Sequence, residues 1–207
     1  MIRAFRECAI ATIPGLDISI VIVAAPAQVL KAFFDADALG AWWQVAHSVT
    51  TPRAFGPYVI EWNPTDFRDE VLGRLGGVFR GTVMQYDPGH GFFVADCFWL
   101  PPDGDPIGPM ALQVECALAG PDVASGTRLH VRQSGFEESA RWRRYYEVVG
   151  NGWERALASY ADLHASLLSA SAAERDHHGI SGEAAGAEAA AAPASVPAAP
   201  EDVEEPS

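Results

Sequence analysis

A run of apolar side chains at helical spacing most narrows what this chain can fold into. Tyr146, Val149, Trp153, Leu157, Tyr160, Leu163 and Leu167 recur three or four residues apart and fall on one stripe of a long helix. Glu147, Glu154, Arg155, Ser159 and Asp162 take the other side, which can face water. A helix with so long an apolar stripe must bury it against another layer. Two start signals precede it, Ser139 and Ser134, each with a hydroxyl able to accept from a free first-turn amide. Gly150-Asn151-Gly152 interrupts good helix formers, at about 1 kcal/mol per glycine relative to alanine, which predicts a kink or break. Those glycines serve either strain relief or a close approach of Trp153 and the backbone to a sheet.

The sheet is written upstream. Ile18 to Ala24 is an apolar, β-branched run closed by Ala25-Pro26, the pattern of a strand handing over to a helix with proline in its first turn. Val29, Leu30, Phe33 and Phe34 give that short helix an apolar side; Asp35-Ala36-Asp37 separates it from a second carrying Leu39, Trp42 and Trp43. The period then changes to two, and strands are expected over 45–51, 58–62, 78–86, 92–99, 110–118 and 128–134. Asp87-Pro88-Gly89 and Pro102-Asp103-Gly104 carry turn chemistry, which favours consecutive antiparallel pairing. The longest connection, Asn63 to Gly77, is expected as an exposed loop over one end of the sheet. In the last strand Arg128, His130 and Arg132 share one face and Leu129, Val131 and Gln133 the other, so the basic trio is expected toward solvent.

Beyond about Ala172 the composition turns to alanine, proline, glycine and acid without aromatic residues, the mark of a segment that cannot bury enough surface to order itself. Eight acids against one arginine lie there, so over half of the net charge of −13 belongs to this tail. That charge argues against nucleic acid and anionic membrane as partners. No segment reaches the roughly 20 apolar residues of a membrane span, and the N-terminal stretch lacks a signal-peptide core. Cys8, Cys97 and Cys116 are too few and scattered for a disulfide framework, which points to a reducing cytoplasm. The histidines show no metal-ligand spacing, and no phosphate loop, dinucleotide fingerprint or nucleophile elbow is present, so no metal and no cofactor are expected. The tryptophans, Trp42, Trp43, Trp62, Trp99, Trp142 and Trp153, each bury on the order of 200 Å² when enclosed, either as plain core or as the lining of a cavity.

Ala25-Pro26-Ala27-Gln28-Val29, Ala38-Leu39-Gly40-Ala41-Trp42-Trp43, Gly76-Gly77, Asp87-Pro88, Gly126-Thr127-Arg128-Leu129, Ser134-Gly135-Phe136 and Gly152-Trp153 together resemble, over roughly Leu16 to Leu168, the bacterial Hsp90-ATPase-activator-like branch of the START-like (SRPBCC) superfamily. The resemblance implies an α+β helix-grip fold: a curved antiparallel sheet of about seven strands wrapped around a long C-terminal helix, with two short helices after the first strand. It divides the chain into an N-terminal extension (1–15), the START-like domain (16–170) and an acidic tail (171–207). It implies a small hydrophobic or aromatic ligand held between sheet and helix by Trp43, Trp62, Phe79, Phe92, Val94, Asp96, Phe98, Gln133, Trp153 and Leu157. Cyclase or hydrolase enzymes and Hsp90 adaptors on the same fold are the alternatives, with a homodimer left open. True activators carry a separate chaperone-binding domain before the START-like one, for which no room is expected ahead of residue 16. Asp96 is the unusual member. Strand parity puts it with Phe92, Val94 and Phe98 on the inner face, where Gln133 would be its partner. The other reading has it facing water at a strand distortion or paired to an arginine.

Overall fold

The computed structural model describes residues 15–120 and 126–180, with side chains placed through Leu167 and at Ser169. The chain divides into two units, Met1–Leu168 and Ser169–Ser207. The N-terminal extension up to Pro14 and the tail from Ser181 lie outside the described residues.

The first strand, β1 (Leu16–Ile22), starts two residues earlier than its apolar run suggests. Its limits are set by antiparallel pairing with β9 (Thr127–Ser134), from Leu16 opposite Gln133 to Ile22 opposite Thr127. The Thr127 hydroxyl donates to the Ala24 carbonyl at 2.6 Å and anchors the exit of β1. Proline opens α1 (Pro26–Lys31), and the Asp35 carboxylate accepts from the Ala38 amide at 3.0 Å to cap α2 (Ala36–Trp43). The acid that separates the two helices thus starts the second.

There follow β2 (His47–Thr50), β3 (Gly56–Trp62), the two-residue β4 (Arg68–Asp69) and β5 (Gly73–Arg74), then β6 (Gly77–Asp87), β7 (Gly91–Leu100), β8 (Ile107–Leu118) and β9. The main sheet has seven strands in the order β1-β9-β8-β7-β6-β3-β2, all antiparallel. In β9 the alternation is as expected: Leu129, Val131 and Gln133 are buried, while Arg128 and Arg132 are exposed. The outward trio is not merely solvated. His130 lies 2.6 Å from Asp17 of β1 and 3.4 Å from Glu115 of β8, and Arg132 also pairs with Asp17, which ties three strands together on the outer face. Contact with His130 first and Arg132 next holds the Asp17 carboxyl below its ordinary value.

The segment from Asn63 to Gly77 is more ordered than an exposed loop. Its β4–β5 hairpin turns around Asp69, 4% exposed, whose carboxylate accepts from the Val71 and Leu72 amides and meets Arg144 at 2.7 Å. An acid can be buried here because it is paired and hydrogen-bonded at once.

The last element is α3 (Ala140–Ile180). Ser139 accepts from the Trp142 amide at 3.2 Å, so it, and not Ser134, starts the helix. Helical structure continues through Gly150-Asn151-Gly152, where a break was expected. A Cβ at Gly150 would come within 3.3 Å of Leu16, which favours the close-approach reading. Val149, Trp153, Leu157, Tyr160 and Leu163 face inward as the stripe requires, but Tyr145 is buried more deeply than Tyr146, and Leu167 is 58% exposed. The helix also runs past the boundary expected near residue 171, because alanine-rich sequence satisfies its backbone locally without needing burial.

Candidate functional site

Two aromatic clusters fill the space between sheet and helices. In one, Phe33, Phe34, Tyr58, Phe92, Trp42 and Tyr160 interlock with ring centroids 4.8–6.3 Å apart. The Tyr160 hydroxyl donates to the Val29 carbonyl at 3.0 Å and pins α3 to α1. The other cluster encloses a cavity of about 660 Å³.

Phe79, Trp99, Gln133 and Tyr145 line the deep part of this cavity and are all buried. Trp43, Trp62 and Trp153 form its walls; Trp43 stands 4.3 Å from Trp153 and 5.1 Å from Trp62, centroid to centroid. Gln44, Asn63, Thr65, Arg155 and Ser159 are exposed lining residues at the mouth. The walls are supported by hydrogen bonds that do not involve a ligand. The Trp62 indole donates to the Trp43 carbonyl at 3.0 Å, Trp99 to the Gly76 carbonyl at 2.8 Å, and Trp153 to the Gln133 side-chain oxygen at 3.1 Å. Each tryptophan is therefore fixed by its polar end while its ring stays available. At the Gly152 position of α3 a Cβ would meet no atom within 4 Å, so this glycine leaves the chamber open.

Among the described residues, the lining holds no carboxylate, imidazole or thiol. Its ionisable groups are Tyr145 and Arg155. Burial pushes the Tyr145 phenol far above its ordinary value, so it stays protonated at any working pH. The buried thiols of Cys97 and Cys116 are pushed up to about 12 by desolvation and are poor nucleophiles at neutral pH.

Of the ten residues expected in the lining, Trp43, Trp62, Phe79, Gln133 and Trp153 come together there. Phe92, Val94 and Leu157 are buried elsewhere in the core, Phe92 in the close-packed cluster. Asp96 and Phe98 are corrections. The register between β7 and β8 shifts between Val94 and Cys97, and Asp96 takes a left-handed conformation with φ 54°. This bulge inserts an unpaired residue and reverses the parity after it. Asp96 consequently faces solvent, Cys97 and Trp99 turn inward, and Phe98 lies half-buried beneath the Arg80 guanidinium, 5.1 Å from its ring. Gln133 bonds instead to Trp153, Tyr145 and Met110.

Trp42 and Trp99, which the sequence left open between core and cavity lining, also line it, whereas Tyr145 and the loop residues Asn63, Thr65, Leu75 and Gly76 were not foreseen. An aspartate inside an apolar strand was a usable signal for Trp99, since Asp tolerates positive φ and thereby marks bulges. Among the described residues, no group of three or more His, Cys, Asp or Glu is placed to hold a metal ion, and no helix is long and apolar enough to cross a membrane.

No protein-family model matches the chain, and no curated protein matches it. Solved structures do. A protein from Rhodobacter sphaeroides matches with a TM-score of 0.55 at 16% identity, over 74% of this chain and 93% of its own. A Mesorhizobium loti protein gives 0.54 at 18% identity, over 72% and 96%. The Aha1 dimer from Colwellia psychrerythraea gives 0.50 at 16% identity, over 73% and 96%. At these identities the likeness is one of fold. The molecule has the helix-grip architecture: a seven-stranded antiparallel sheet, two short helices after the first strand and a long C-terminal helix. This is the fold of START-like and Aha1-like proteins.

Proposed function

We propose that the protein binds a small, largely apolar or aromatic molecule in the cavity between the sheet and α3, without transforming it. The observation that carries this reading is the chamber of about 660 Å³, lined by tryptophans of which Trp62, Trp99 and Trp153 have their indole N–H groups held by protein acceptors. A volume of that order is in the usual range for small-molecule sites, which are apolar with a few placed polar groups. The absence of any acid, imidazole or thiol from the lining favours binding over a cyclase or hydrolase activity.

The resemblance of the sequence motifs and the likeness to the Colwellia psychrerythraea Aha1 dimer support placing the chain in the Hsp90-activator-like branch of the START-like superfamily, with a cytoplasmic site of action and self-association as a homodimer. The domain limits 16–170 belong to the same proposal. Native mass spectrometry of freshly purified protein, followed by titration with 1-anilinonaphthalene-8-sulfonate, tests the central reading. A retained small molecule, or saturable one-to-one uptake of the dye, is expected. A bare protein that takes up no dye but raises the ATPase rate of Hsp90 would replace ligand binding with the adaptor alternative.

A further inference from the structure

The deep end of the cavity carries a hydrogen-bond donor whose direction can be worked out from its neighbours. The Trp153 indole N–H can only donate, so the Gln133 atom it meets at 3.1 Å must be the carbonyl oxygen. The Gln133 NH2 group then faces the other way, toward the Met110 sulfur at 3.1 Å and the Tyr145 oxygen at 3.4 Å. Tyr145 is therefore an acceptor in this chain, and among the described residues no hydrogen bond runs from its own hydroxyl to a protein acceptor. The residue is 4% exposed and lines the cavity, with its ring stacked 5.3 Å from that of Trp99. A buried hydroxyl left with an unused donor costs free energy unless something in the chamber accepts from it.

Resting on the ligand-binding reading above, we infer that the ligand is a flat aromatic molecule bearing a neutral acceptor oxygen, a carbonyl in its simplest form, which takes the Tyr145 proton at the buried end. The ring system lies among Trp43, Trp62 and Trp153, whose indoles offer faces. The Trp62 and Trp153 N–H groups are already spent on protein acceptors, and that of Trp99 is spent on Gly76. Trp43 is half-buried, so Tyr145 is the fully buried lining donor that can read a ligand oxygen at the deep end. Cations are disfavoured, because the one charged lining residue is Arg155 and no carboxylate faces the chamber.

A matched pair of rigid probes separates this inference from the reading it rests on. 9-Fluorenone and fluorene have nearly the same shape and differ by one carbonyl oxygen. Equilibrium dialysis of both against the full chain should show uptake of each, with fluorenone about tenfold tighter, as one buried hydrogen bond provides. In Tyr145→Phe the two affinities should become equal, with fluorene binding unchanged. Equal affinities in the wild type would overturn the acceptor inference and leave the cavity reading standing. A preference that survives Tyr145→Phe would overturn the assignment to Tyr145. Uptake of neither probe would sink both.

Discussion

The interior has two aromatic regions, one closed and built mainly from phenylalanine and tyrosine, the other open and walled by tryptophan. Around Phe92 the rings of Phe33, Phe34 and Tyr58 fill the space between α1, β3 and β7, and rings contact rings on every side. Around Trp153 the rings of Trp43 and Trp62 contact one another only along part of their surface and leave a chamber. The difference lies in the polar ends. Phenylalanines have none, and they collapse together until the void is gone. The tryptophans are tethered by indole N–H groups to Trp43, Gly76 and Gln133, so that collapse would break hydrogen bonds as it removed the cavity. Aromatic content alone therefore does not say whether a region is core or site: tethers also hold Trp42 and Tyr160 in the closed cluster, where the phenylalanines fill the space between them.

The sharpest way to break that contrast is to remove mass from each half. Phe92→Ala should cost about 3–5 kcal/mol in denaturant unfolding, because it opens a void in a packed cluster. Trp62→Ala deletes a larger side chain and should cost less, about 2 kcal/mol, since one face of that ring already borders open space. A larger loss for Trp62 than for Phe92 would mean that the chamber is filled in solution.

A smaller effect should come from the clasp between the β4–β5 hairpin and α3, which stands at neither cluster. The Arg144 hydrogen bond above all, with the Leu72 and Val71 amides, holds the Asp69 carboxyl below its ordinary value of 3.8. A carboxylate depressed in the folded state stabilises it above the unfolded value, and that stabilisation is lost as pH falls through the folded value. Thermal midpoints should accordingly drop below about pH 4 in the wild type. Asp69→Asn should start lower at neutral pH and show a shallower acid slope, and an unchanged slope would remove Asp69 from the account.

The smallest effect is expected at Asp96. Asp96→Asn should change stability by less than about 0.5 kcal/mol and leave dye uptake unaltered, because the side chain is exposed and Asn tolerates the same positive φ. Loss of uptake in this variant would return the acid to the cavity.

Asp96 also marks where sequence reading ends. Periodicity worked in β9, where Leu129, Val131 and Gln133 turn inward in unbroken alternation, and in α3 from Val149 to Leu163. It failed in β7 because a bulge depends on how a strand pairs with β6 and β8, and those registers are not written in its own alternation. One inserted residue exchanged Phe98 for Trp99 in the lining. The helix phase was off by one residue in its second turn, where Tyr145 and Tyr146 are adjacent tyrosines that composition cannot tell apart. The contributions of Asn63, Thr65, Leu75 and Gly76 depend on how a connection closes over the sheet, which local pattern does not carry. The order of elements was legible because each has its own period; the lining was only half so, because a cavity is a property of several elements at once.

The central claim is that the tryptophan-walled chamber is the binding site, and Gly152 offers the most direct access to it. A Cβ built there meets no protein atom within 4 Å, and the residue lines the chamber between Val149 and Ala156. Fluorene uptake should be measured on Gly152→Phe by equilibrium dialysis, beside its thermal midpoint. The account predicts a variant that folds with a midpoint at or above that of the wild type and takes up no fluorene. A folded Gly152→Phe protein that binds fluorene as tightly as the wild type would contradict it.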